Sequence, residues 1–186
     1  MTSQIQRPTL CAVSDDGSGL SVGSGRAAGP GADPRRLLVE GVAAAPLMQV
    51  ATVDPHGFPA LCHVWYRPDF TPDRLCFLSR EDREHVLNLR HDPRVAASIA
   101  LRVPDGLGER VRGVTLSGLA REIPEDELPA AATAFVARWP RAADALRPGT
   151  AVTGPRSRLY EIAVVRWVLF DEVNFPAQPR QSVPAR

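Results

Sequence analysis

Six apolar segments between residues 48 and 173 are separated by turn-forming residues, with only short helical periods among them. That pattern is what hairpins produce, and regular strand–helix alternation does not produce it. The clearest unit is MQVATVDPHGFPALCHVWYRP, two strand-like runs around Asp54-Pro55-His56-Gly57. Proline and glycine stand there where a tight reversal needs them, so the segment reads as a hairpin. A third run, RLCFLS (74–79), follows a turn at Pro72-Asp73. Two more, 94–103 and 111–123, alternate as half-buried strands do and are split by the polar turn Pro104-Asp105-Gly106-Leu107-Gly108. The last covers 158–173 and leads into the tail NFPAQPRQSVPAR. Six strands with a few short helices predict a mainly β fold, a six-stranded antiparallel barrel in place of a Rossmann sheet.

Helical signals fill three gaps. Asp33 and Pro34 suit the N-cap and first helical position of a helix over Pro34–Ala44. EDREHVLNLRHDP turns to a helical period with Val86, Leu87 and Leu89 expected on the core face, stopped before Pro93. Residues 124–146 open with acidic residues and carry Leu128, Ala132, Phe135 and Trp139 at helical spacing. Pro140 interrupts them, so one helix, a break and a short second helix are expected, with Trp139 as a packing anchor. The domain is therefore expected over 34–175. Residues 1–33 are rich in Gly, Ser and Ala and read as a flexible leader, and 176–186 as a Pro-rich tail, extended or disordered. GSGLSVGSG has no preceding strand and no following Lys-Ser/Thr, which argues against a phosphate loop there.

The 186 residues are 44% hydrophobic, enough for a core, and carry 22 basic and 21 acidic side chains, a net charge of +1. That balance exerts no general pull on nucleic acid or an anionic membrane. Without a signal peptide or a long apolar run, a soluble cytoplasmic protein is expected. Every basic residue is arginine, which excludes a lysine Schiff base; an anion site must use Arg, His or backbone N–H groups. Cys11, Cys62 and Cys76 form no CxxC pair, so neither a disulfide framework nor a metal site is expected. Cys62 and Cys76 read as small core residues and Cys11 as exposed. His56 and His91 read as surface residues, and Arg138, Arg141 and Arg147 as a solvated face. His63 and Trp65 flank Val64 on one strand and so share a face, one that could line a cleft.

Ordered along the chain are Ala51-Thr52-Val53-Asp54 with Gly57 and Pro59, His63-Val64-Trp65-Tyr66, residues 75–79, Asn88-Leu89-Arg90, Asp92-Pro93-Arg94-Val95, and Arg112-Gly113-Val114 with Gly118. This series of landmarks resembles the flavin-binding split-barrel family, the pyridoxamine 5'-phosphate oxidase-like proteins. The resemblance implies a Greek-key split barrel, a homodimer, and FMN bound at two interface clefts. It implies cofactor contacts from His63, Val64, Trp65, Tyr66, Leu78, Ser79, Arg80, Arg83, His85, Arg112 and Thr115. His63, the titratable side chain of the ring-lining strand, is the candidate catalytic group. The expected activity is an FMN-dependent oxidoreductase acting on a small organic molecule. Two landmarks depart from the family: Glu84 stands where Arg is usual, and His85 where Lys is usual. The chain lacks the Arg-Leu-His motif of enzymes that form pyridoxal phosphate, so that synthesis is not expected. The rival readings are a deazaflavin-dependent reductase, a haem protein with His63 or His85 as axial ligand, and a cofactor-empty accessory or sensor dimer.

Overall fold

The computed structural model describes residues 32–102, 104–147 and 154–186. The leader expected over 1–33 lies outside them except for Ala32 and Asp33. Helix α1 (Pro34–Ala44) starts as its sequence dictates: the Asp33 carboxylate accepts from the N–H groups of Arg35 and Arg36, with Pro34 in the first turn. Leu38 and Val42 are its buried face.

Strands β1 (Leu47–Val53) and β2 (Pro59–Phe70) form the predicted hairpin. Asp54 Oδ1 accepts from the N–H groups of His56 and Phe58, each at 2.8 Å, and Gly57 takes a φ of +87° that other residues resist. β3 (Asp73–Arg80) follows, then helix α2 (Glu84–His91), β4 (Arg94–Arg102), β5 (Arg112–Glu122), helix α3 (Leu128–Arg138), a 3-10 turn (Pro140–Ala142), β6 (Ser157–Asp171) and β7 (Arg180–Pro184). All pairings are antiparallel, in the order β3-β2-β1-β4-β5-β6-β7, and β3 also pairs with β6. The first six strands thus close a barrel, and β7 lies outside it on β6.

β6 serves both structures because it is long. On one edge β5 follows it from Tyr160 to Asp171. On the other, β3 pairs with Ser157–Ala163, and β7 takes over at Arg166–Phe170. A bulge in the β5–β6 ladder, after Ser117, leaves Val165 unpaired and 65% exposed. Gly118 sits at this bulge, where a Cβ would lie 2.6 Å from the Ala163 carbonyl oxygen.

Three expectations need correction. The tail is not merely extended, since residues 180–184 form a seventh strand with Val183 buried. Leu87 does not face the core; it is 51% exposed, while Val86 and Leu89 are buried as expected and Asn88 is buried with them. At about 100° per residue, His85, Asn88, Leu89 and Val86 share one arc and Leu87 lies opposite. Asn88 is tolerated inside because its amide donates to Thr52 Oγ1 at 3.1 Å. Arg138 is not part of a solvated face: it donates to the carbonyls of Ala43 and Ala45, meeting the C-terminal end of α1.

Candidate functional site

Strand alternation decides what β2 offers. Val64 and Tyr66 point into the barrel, where Tyr66 Oη donates to the Val42 carbonyl at 2.6 Å. His63 and Trp65 point outward, as the spacing predicts. Beside them β3 ends in Leu78-Ser79-Arg80, and the short turn after it delivers Arg83, Glu84 and His85 at the start of α2. Together these segments line a cleft of about 600 Å³, joined by Ser157, which pairs with Arg80 across the β3–β6 ladder.

The cleft is built for an anion at one end. Ser79 Oγ lies 2.7 Å from His85 Nε2, which fixes both side chains. Burial, and then the Arg83 guanidinium, hold the His85 imidazole below its usual pKa, against the opposing pull of Glu84. Both effects favour the neutral imidazole in the free protein. No side chain caps the N-terminus of α2; the Val86 and Leu87 N–H groups donate to the Arg83 carbonyl, which leaves those of Glu84 and His85 as the donors available beside Arg83. Arg80 is less available, because its guanidinium binds the Asp82 carboxylate through Nε and Nη2. The other end is aromatic: Trp65 is 52% exposed on the wall. The His63 imidazole has no hydrogen-bond partner among the described residues and is exposed on the same wall.

Three of the expected contact residues do not border this cleft, the first being Tyr66, whose side chain is fully buried inside the barrel because strand alternation turns it inward. Thr115 points out of β5 on another face, in a shallow depression with Gln49, Ser98, Ser117 and Arg166. Arg112 pairs with the buried Asp171, Nε to Oδ2 at 3.0 Å. Neither borders the cleft of its own chain. What the sequence did not single out is the neighbour of Trp65. Trp139 meets it edge-on with ring centroids 4.8 Å apart, and donates its indole N–H to the Tyr66 carbonyl. Burial disfavours the thiolate at both described cysteines, raising the pKa of Cys62 and pushing Cys76 up to about 12.

The sequence model for the family described as pyridoxamine 5'-phosphate oxidase matches residues 36–170, nearly the whole barrel. The chain belongs to the pyridoxamine 5'-phosphate oxidase-like split-barrel family. Solved structures of other proteins share the fold. A protein of unknown function from Agrobacterium tumefaciens is 25% identical with a TM-score of 0.59, over 78% of this chain and 59% of its own. A heme binding protein from Mycobacterium smegmatis is 24% identical with a TM-score of 0.59, over 77% and 54%. A pyridoxamine 5'-phosphate oxidase-related, FMN binding protein from Nostoc punctiforme is 17% identical with a TM-score of 0.57, over 82% and 90%. This chain thus spans less than two thirds of the first and second of these relatives. No curated protein matches. No helix among the described residues is long and apolar enough to cross a membrane.

Proposed function

We propose that this protein is a flavin-dependent oxidoreductase that holds FMN in the cleft and acts on a small organic molecule. The observation that carries the reading is the anion cradle beside an exposed indole: Ser79, Arg83, His85 and the uncapped start of α2 at one end, Trp65 at the other. A phosphate with nearly two negative charges is met there by a guanidinium, a hydroxyl and helix N–H groups, and the Trp65 ring offers a surface for a planar group. FMN would supply hydride and electron transfer, and the protein supplies position and electrostatics. Glu84 is exposed and lines the cleft, so it weakens the cradle unless its carboxylate turns to water. His63, unengaged on the same wall, is the group placed to exchange a proton with the molecule being converted.

The protein acts as a homodimer in this reading. Thr115 and Arg112, remote from their own cleft, then face a second copy, and the small outward residues Ala96, Ser98 and Ser117 let two barrels approach closely.

A haem-binding reading is supported by one feature, the free imidazole of His63; His85 is a poorer axial ligand because Ser79 already engages its Nε2. An absorption spectrum of the purified protein from about 300 to 700 nm separates the two, since flavin gives two bands and haem one dominant Soret band. FMN titration should then show binding that Arg83→Ala weakens by about tenfold or more. A Soret band lost in His63→Ala, or FMN binding indifferent to Arg83, would reject the flavin reading.

A further inference from the structure

A second cavity, of about 660 Å³, adjoins the cleft and shares Trp65 and Leu78 with it. Its remaining wall comes from α3, its C-cap and the 3-10 turn: Phe135, Trp139, Pro140, Arg141 and Ala142. The volume is that of a small-molecule pocket, and the wall is apolar apart from Arg141. Trp139 is held from three sides, by its N–H bond to the Tyr66 carbonyl at 2.9 Å, the Arg138 guanidinium 5.0 Å from its ring, and the edge of Trp65. Its one polar atom is thereby satisfied within the protein, so the side that faces the cavity is plain aromatic surface. Water in such a space finds few partners, which favours its displacement by an apolar body.

Arg141 gives the cavity a polarity. The guanidinium of the nearby Arg138 is spent on the Ala43 and Ala45 carbonyls. Arg141 is exposed and enters no ion pair or hydrogen bond among the described residues, yet it lines this cavity. A guanidinium at the margin of an aromatic box matches a carboxylate joined to a flat ring.

We propose that this cavity is the substrate pocket of the cleft and that it takes aryl carboxylates, the ring packed against the Trp65–Trp139 pair and the acid at Arg141. The assignment as substrate rests on the cofactor reading above, whereas binding of the acid does not. Both walls shared with the cleft, Trp65 and Leu78, then bring one edge of the bound ring against the cofactor compartment.

The test is calorimetric titration of the full-length, cofactor-depleted protein with 2-naphthoate and with the neutral 2-naphthylmethanol. Naphthoate should bind with a Kd below about 1 mM, and more tightly than the alcohol by about fivefold or more. Arg141→Gln, a change at an exposed position, should erase that preference while leaving the melting temperature unaltered. Ala142→Phe, which fills the cavity, should abolish binding of both probes; because Ala142 is buried, Leu78→Phe is the second filling variant should the first fail to fold. Absence of saturable naphthoate binding, or a preference unaffected by Arg141→Gln, would overturn the proposal. FMN titration of the same preparation keeps the two readings apart. FMN binding without naphthoate binding rejects the pocket and spares the cofactor, while naphthoate binding without any cofactor supports the pocket and rejects the oxidoreductase.

Discussion

His85 is where pH enters the cofactor site. Its imidazole is half-buried beside Ser79 and Arg83, with Glu84 as the opposing charge, and its pKa lies below the usual 6.5. A dianionic phosphate brought to the cradle stabilises the protonated ring and so raises that pKa. Protons are then taken up on binding, and the contribution of His85 to FMN affinity grows as pH falls from the value in the complex toward the value in the free protein. The phosphate itself gains a proton near pH 6, which works the other way. His85→Lys isolates the histidine, because its charge is constant over the range. FMN should bind His85→Lys more tightly than wild type at about pH 8, and the gap should narrow by about three- to tenfold at about pH 6. Equal ratios at both pH values in paired titrations would show that His85 does not touch the phosphate. Residues 78–85 could be read from sequence because one strand end and one helix start are contiguous in the chain. Trp139, some seventy residues from Trp65, carried no local sign of that contact.

At the scale of elements, a buried carboxylate joins the two ends of the described chain. Asp73, fully buried, accepts from Arg35 of α1, from Trp167 Nε1 at 2.8 Å and from the backbone N–H of Arg186, and its own N–H donates to the Arg186 carbonyl. Burial alone would raise its pKa; the hydrogen bonds from Arg35, Trp167 and Arg186 outweigh that and hold it below the usual value. A carboxylate lowered in this way contributes stability that is complete above about pH 4 and lost as pH falls below it. Asp73→Asn should therefore cost about 2–4 kcal/mol at neutral pH. In urea unfolding the gap from wild type should shrink as pH falls below about 4, where the unfolded chain takes up a proton that the folded carboxylate resists. A gap independent of pH would mean that shape and not charge matters at this position. Nothing local marks β7: Arg180–Pro184 has one apolar inward residue, Val183, and a proline that only an edge strand accepts. It exists because β6 outruns β3 and leaves backbone groups to be paired, a fact about the closed barrel and not about the tail. The β1–β2 hairpin was legible for the opposite reason, since Asp54 and Gly57 fix its turn within a few residues.

In the whole molecule, closure of the barrel sets which side chains can meet. It puts Thr115 and Ser98 on an outer face, away from the cleft that holds Ser79 and His85. Family resemblance grouped Thr115 and Arg112 with the cofactor, and within one chain the barrel separates them, so they can serve a cofactor only by facing a second copy. Ala96 and Ser98 of β4 and Ser117 of β5 are short enough for two sheets to come into contact, and an interface there would need to bury at least about 1,000 Å² in total to be stable. A long charged side chain in its middle would hold the copies apart without touching the core, because Ser98 is exposed in the single chain. Wild type should run as a dimer in light-scattering chromatography at about 10 µM, and Ser98→Arg as a folded monomer with an unchanged melting temperature at low concentration. FMN binding should fall with the dimer, by about tenfold or more, although no residue of the cleft has been altered. A wild-type monomer that still binds FMN would refute the shared site and leave the cradle of Ser79, Arg83 and His85 to hold the cofactor unaided.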